Sequence, residues 1–249
     1  MPFPEAPAAW RAKAAELHDE TDAEFAGAAG EGVGEYRETV KALLANLLDG
    51  KELRIRMKPS DLERWLSKGE RLTFHTTGIT NGRDDAEALL EFEQEMLGIA
   101  LDELEEKRPR YGYVRGSEER GNELNGFGNV LVRLQDLRAH ATVTLGDSMG
   151  SATTVPSIPG GWACMVAEPL GKTEDLLCRY PLQNVVGATQ LHDACDQCYQ
   201  YAEVQIYDPL KPNTIKHVAF CNGEPIPDDA RNLLHRWGIE YEEIDGVLP

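Results

Sequence analysis

The stretch Tyr201-Ala202-Glu203-Val204-Gln205-Ile206-Tyr207-Asp208-Pro209 constrains this chain more than any other. It places Ala202, Val204 and Ile206 on one side and Tyr201, Glu203, Gln205 and Tyr207 on the other. A period of two belongs to a β-strand. One face is expected to be core and the other a polar lining, with the Asp-Pro pair ending the strand. A carboxylate set between two aromatics on such a strand is held rigidly at the wall of a cleft. Glu203 is the first candidate for a functional group.

The segments around it predict an α+β domain. Residues 51–57 suit a short strand, and Ser60 and Glu63 have the spacing of a capping box opening a helix to about Lys68, which Gly69 ends. Residues 71–78 are β-prone, with Thr73, His75 and Thr77 opposite Leu72 and Phe74. Apolar residues at 89, 92, 96, 97, 100, 101 and 104 predict a long amphipathic helix over 84–107, stopped at Arg108-Pro109. Residues 110–128 are polar and glycine-rich, hence a loop, and strands are expected at 130–134 and 141–145. Residues 151–161 form a Ser/Thr/Pro/Gly loop of the kind that closes over sites, followed by helix or irregular structure to Tyr199. A strand over 214–220, a turn at Asn222-Gly223 and a short helix over 228–237 complete the chain. So many short strands favour a substantial antiparallel or mixed sheet.

Residues 1–60 read as a helical N-terminal segment, broken by four glycines between 27 and 34, ahead of a domain spanning 61–249. The chain of 249 residues carries a net charge of −18, which argues against nucleic acid and anionic membrane as partners, because both would repel it. No run of apolar residues is long enough to span a membrane, and the first residues lack a secretory pattern, so a cytoplasmic protein is expected. Five cysteines, an odd number, do not suggest a disulfide framework.

Several motifs can be set aside. Gly171-Lys172-Thr173 lacks the earlier glycine of a phosphate-binding loop, and no dinucleotide fingerprint, nucleophile elbow or His-Glu-x-x-His is present. His192, Cys195 and Cys198 have a spacing that can hold zinc, and His217 and Cys221 on a following strand could bring a fourth ligand, but this closing pair lacks the usual two-residue separation; reduced thiols are the better expectation. His75 and Glu203, each taken alone, would ordinarily be a core histidine and a solvated strand residue.

Taken in order, four segments resemble the ADP-ribosyltransferase superfamily, and within it the ADP-ribosyltransferase-like domain of tailed-phage minor head (head-morphogenesis) proteins. They are Phe74-His75-Thr76-Thr77-Gly78; Arg108-Pro109-Arg110-Tyr111-Gly112-Tyr113; residues 130–134 with Thr142-Val143-Thr144-Leu145-Gly146-Asp147-Ser148; and Glu203-Val204-Gln205-Ile206-Tyr207-Asp208-Pro209. The resemblance covers about residues 70–225 and implies an ADP-ribosyltransferase-like mixed or antiparallel split β-sheet core with flanking helices. It implies NAD as substrate and Glu203 as the catalytic carboxylate, with His75, Thr76, Thr142, Thr144 and Tyr201 binding the cofactor. Matching Glu203 to the second acid of a Glu-x-Glu pattern puts Tyr201 at the first; the other registration puts Gln205 at the catalytic place and makes the site inert. Val-x-Ile and the proline favour the former. The implied activity is mono-ADP-ribosyl transfer to a protein acceptor by a phage- or prophage-encoded, toxin-like enzyme. The alternative is an inert, virion-associated structural head component whose N-terminal helices dock on portal or head proteins.

Overall fold

The computed structural model describes residues 51–71, 73, 90, 93, 102, 104, 108–115, 127–135, 141–145, 165–166, 176–177, 201–207, 209–221, 223 and 225–244. The elements expected over 1–50, 74–78 and 151–161 lie outside them. Among the described residues the chain is mixed α+β, with a mostly antiparallel sheet and two helices. In order these are β1 (Leu53–Met57), α1 (Pro59–Lys68), β2 (Arg110–Arg115), β3 (Val130–Leu134), β4 (Ala141–Leu145), β5 (Met165–Val166), β6 (Leu176–Leu177), β7 (Tyr201–Ile206), β8 (Ile215–Cys221), α2 (Asp228–Trp237) and β9 (Tyr241–Ile244). The described strands form one continuous sheet in the order β6-β5-β4-β7-β2-β1-β3-β8-β9. β8 and β9, on either side of α2, are parallel, and all other neighbours are antiparallel. The sheet thus draws on residues from both sides of position 61, since β1 pairs with both β2 and β3.

Register partners in an antiparallel pair share a face, which sorts the side chains into two sets. Ile55, Val114, Val132, Val204 and Val218 belong to one face, all of them buried. Both helices cover that face. Arg231 of α2 lies 3.5 Å from Glu243 of β9, His235 packs edge-on against Tyr241, and Trp237 of α2 donates its indole N–H to the Leu66 carbonyl of α1 at 2.9 Å. Leu62, Trp65 and Leu66 of α1 and Ala230 and Leu234 of α2 supply the buried stripe. Trp65 is itself pinned by an N–H donated to the Leu210 carbonyl at 2.7 Å, so deleting its ring would leave both a cavity and an orphaned acceptor.

The other face differs from expectation. It is no open polar lining: Tyr113, Leu131, Tyr201, Ala219 and Cys221 form a second buried cluster there, and Gln205 is fully buried. Aromatic and small residues from β2, β3, β7 and β8 meet on that side, so the period of two separates two buried layers.

The helix ends follow local chemistry. α1 begins at Lys58 and Pro59 rather than at Ser60, with no side-chain cap, because proline's fixed φ and missing N–H suit the first helical position. Its C-terminus is closed by Gly69 at φ 75°, with the Gly69 N–H bonded to the Trp65 carbonyl. α2 has Asp228 and Asp229 in its first turn and His235 and Arg236 in its last, each complementing the helix dipole. Residues 110–115, expected as loop, form β2; β5 and β6 occur where helix or irregular structure was expected, and β9 was not anticipated. β2 tolerates Gly112 because a Cβ there would sit 2.9 Å from the Arg54 carbonyl oxygen. Among the described residues no helix is long and apolar enough to cross a membrane.

Gly128, just before β3, has φ 125°, and a Cβ there would lie 2.3 Å from the Met57 backbone. Gly128→Ala is expected to destabilise the protein by about 2 kcal/mol or more, through strain and clash together. The shift of the urea unfolding midpoint measures it.

Candidate functional site

β7 is an interior strand, paired along its whole length with β2 and over five residues with β4. Its backbone donors and acceptors are therefore committed to the sheet on both edges, and its side chains are fixed in height and direction. Of its six residues only Glu203 is not buried. The Gln205 amide, on the same face two residues on, donates to Glu203 Oε1 at 2.9 Å. That bond holds the orientation of the carboxylate.

Glu203 pairs across the sheet with Tyr113 on β2 and with Thr144 on β4, while Gln205 pairs with Tyr111 and Thr142. Positions 142 and 144 thus share a sheet face with Glu203. Tyr201 lies on that face as well, buried and edge-on to Tyr113 with ring centroids 6.0 Å apart.

Tyr111, the register partner of Gln205, joins this face to a buried ion pair. Its hydroxyl donates to Glu93 Oε1 at 3.0 Å, and Glu93 Oε2 receives Arg108 Nη1 at 2.6 Å, with both charged side chains almost wholly buried. Breaking such a pair by removing one partner typically costs about 3–5 kcal/mol, because the remaining charge is stranded. Burial first, then the carboxylates of Glu93 and Glu203, push the Tyr111 phenol well above its ordinary value. Glu93, Arg108 and Tyr111 were not singled out as site residues from the sequence, and Gln205 was weighed only as an alternative to Glu203. The alternation of Tyr111, Tyr113 and Arg115 was the available signal for a strand carrying this network.

His75 and Thr76 lie outside the described residues. The chain leading to them is held beside the same strands: the Arg71 N–H bonds the Leu210 carbonyl at 2.8 Å, and Arg71 Nη1 donates to the Tyr111 carbonyl at 3.1 Å. His192, Cys195 and Cys198 also lie outside. Cys221 is a buried thiol with Sγ 3.8 Å from the Ala219 carbonyl oxygen, and burial pushes its pKa up. Among the described residues no group of three or more His, Cys, Asp or Glu side chains could hold a metal ion.

No family model matches this chain, and no curated protein matches it. Among solved structures, Thermosipho africanus DarTG in complex with ADP-ribose is similar, with a TM-score of 0.40 and 11% identity over 78% of this chain. The chain spans half the length of that structure's chain, 50% of it being covered.

Because the folded pKa of Tyr111 is raised, folding favours the protonated phenol, and this contribution is complete below the ordinary tyrosine value and lost as pH rises through the folded one. Stability is expected to fall with pH above about 10, and Tyr111→Phe to flatten that fall. Urea midpoints at about pH 8 and about pH 11, for both proteins, check it.

Proposed function

We propose that this chain is an NAD-dependent mono-ADP-ribosyltransferase in which Glu203 is the catalytic carboxylate. The observation that carries this reading is the exposure pattern of β7: Glu203 alone among its residues reaches solvent, while Gln205, the competing candidate, is buried and spent on holding it. That pattern supports the registration in which Glu203, and not Gln205, takes the catalytic place. The motif resemblance supplies the substrate.

The chemistry suits the group. The bond between nicotinamide and ribose C1′ breaks with its electron pair leaving on nicotinamide, and positive charge develops across C1′ and the ring oxygen. A fixed carboxylate beside that sugar stabilises the charge or orients a ribose hydroxyl without reorganising. The acceptor's nucleophile then bonds to C1′ and gives up a proton. Gln205 acts through Glu203, by keeping its carboxylate aimed. Thr142 and Thr144, on the neighbouring strand, with His75 and Thr76, would bind the cofactor, and the acceptor is a protein side chain.

With labelled NAD, the wild-type protein is expected to release nicotinamide and to transfer label to a protein acceptor or to itself. Glu203→Gln should lower nicotinamide release by roughly 10²–10³-fold with its melting temperature unchanged. Gln205→Leu, similar in volume, should fold and lose about tenfold in turnover, in line with one lost hydrogen bond to a charged group. A folded wild-type protein that releases no nicotinamide would overturn the proposal and favour the inert structural alternative.

A further inference from the structure

The face that carries Glu203 also gathers cations, although the chain as a whole is at −18. Across three adjacent strands, Arg54 pairs with Arg133 and Arg133 with His217, while Arg56 lies two residues from Arg54 on the same face. Glu52 serves the outer part of this group: its carboxylate is 3.6 Å from Arg54, 3.8 Å from Arg133 Nε and 2.8 Å from Lys216. Glu242 lies 3.7 Å from His217 Nε2.

Arg56 has no such partner. It is 8% exposed, yet among the described residues no carboxylate lies within ion-pair distance of it. Its Nη1 donates to the Gly128 carbonyl at a long 3.4 Å, and its charge lies near the Tyr113 hydroxyl. Its Nε is buried with no hydrogen-bond partner, and so are Arg133 Nε and His217 Nδ1. A buried guanidinium is ordinarily matched by a carboxylate, because desolvating it alone is costly. Here the Nε donors of two arginines on neighbouring strands are without a hydrogen-bond partner, at positions diagonal to one another and within about 8 Å along the sheet. Arg133 and His217 are partly exposed, whereas Arg56, on the same face, is buried.

We propose that Arg56 and Arg133, with His217 beside Arg133, form a binding site for a phosphoryl group. Guanidinium Nε and Nη donors match two oxygens of one phosphate, and a dianion satisfies two cations that lack full counter-charge. Arg56 on β1 lies two strand spacings from Glu203 and Arg133 on β3 three, roughly 10 and roughly 14 Å across the sheet. The site rests on the arginines alone and does not depend on the transferase reading.

The test uses the full chain with inorganic pyrophosphate as probe, at low ionic strength, read by calorimetry and by melting temperature against sodium chloride at equal ionic strength. Wild type is expected to bind pyrophosphate and to melt several degrees higher in it than in chloride. Arg56→Lys, which keeps the charge and removes the Nε donor, and Arg133→Gln should each bind at least tenfold more weakly. Arg231→Gln, which removes a cation from the helix over the other face, should bind as wild type, so that loss of one positive charge alone does not account for the effect. Equal melting in pyrophosphate and chloride overturns the proposal, and so does wild-type affinity in either folded variant. If Arg56→Lys fails to fold, Arg133→Gln, at a partly exposed position, decides alone.

Discussion

The pairing of β7 along both edges, inside a sheet whose two faces are both buried around it, is the constraint on which the rest depends. Backbone hydrogen bonds to β2 and β4 set the strand's height and register. Packing of Val204 and Ile206 on one side and of Tyr201 against Tyr113 on the other prevents rotation. A one-residue slip would exchange the two faces and bring Glu203 into the helix-covered core, at the cost of burying a charge. The carboxylate is therefore held in place by the whole sheet, and the Gln205 amide contributes to its aim.

The polar groups of the second face form two assemblies separated by the Tyr113–Tyr201 cluster. On one side Arg108, Glu93 and Tyr111 form a neutralised, buried chain that ends near Glu203. On the other, Glu52 is shared among Arg54, Arg133 and Lys216, and the hydrogen bond from Lys216 holds its carboxyl below the ordinary value. The first assembly closes its own charge balance. The second leaves Arg56 without a carboxylate, and this asymmetry is what distinguishes a scaffold for a carboxylate from a receptor for an anion.

Much of the architecture was legible because local chemistry is strong there. β1, β3, β7 and β8 alternate with β-branched or aliphatic residues at every second position, and α1 and α2 end at glycines that take the left-handed conformation. β2 was not legible. Gly112 and its flanking tyrosines resemble a loop until Arg54 and Ile55 of β1 are seen to fill the space that a side chain would need. β9, Tyr-Glu-Glu-Ile, has no alternation of polarity and becomes a strand through pairing with β8. The start of α1 moved from Ser60 to Lys58 because proline's fixed backbone outweighs a side-chain cap.

By itself, then, the sequence determined the periods, the helix stops and the presence of one carboxylate among aromatics on a strand. Those are properties of neighbours within a few residues. Only the tertiary structure decided that the polar face of β7 is buried too, that Gln205 holds Glu203, and that Arg56 is left without a counter-ion. An alternation of period two says that two faces differ but not what covers either one; that depends on strands and helices tens of residues away, and it is their packing that left Glu203, alone among the residues of β7, in reach of solvent.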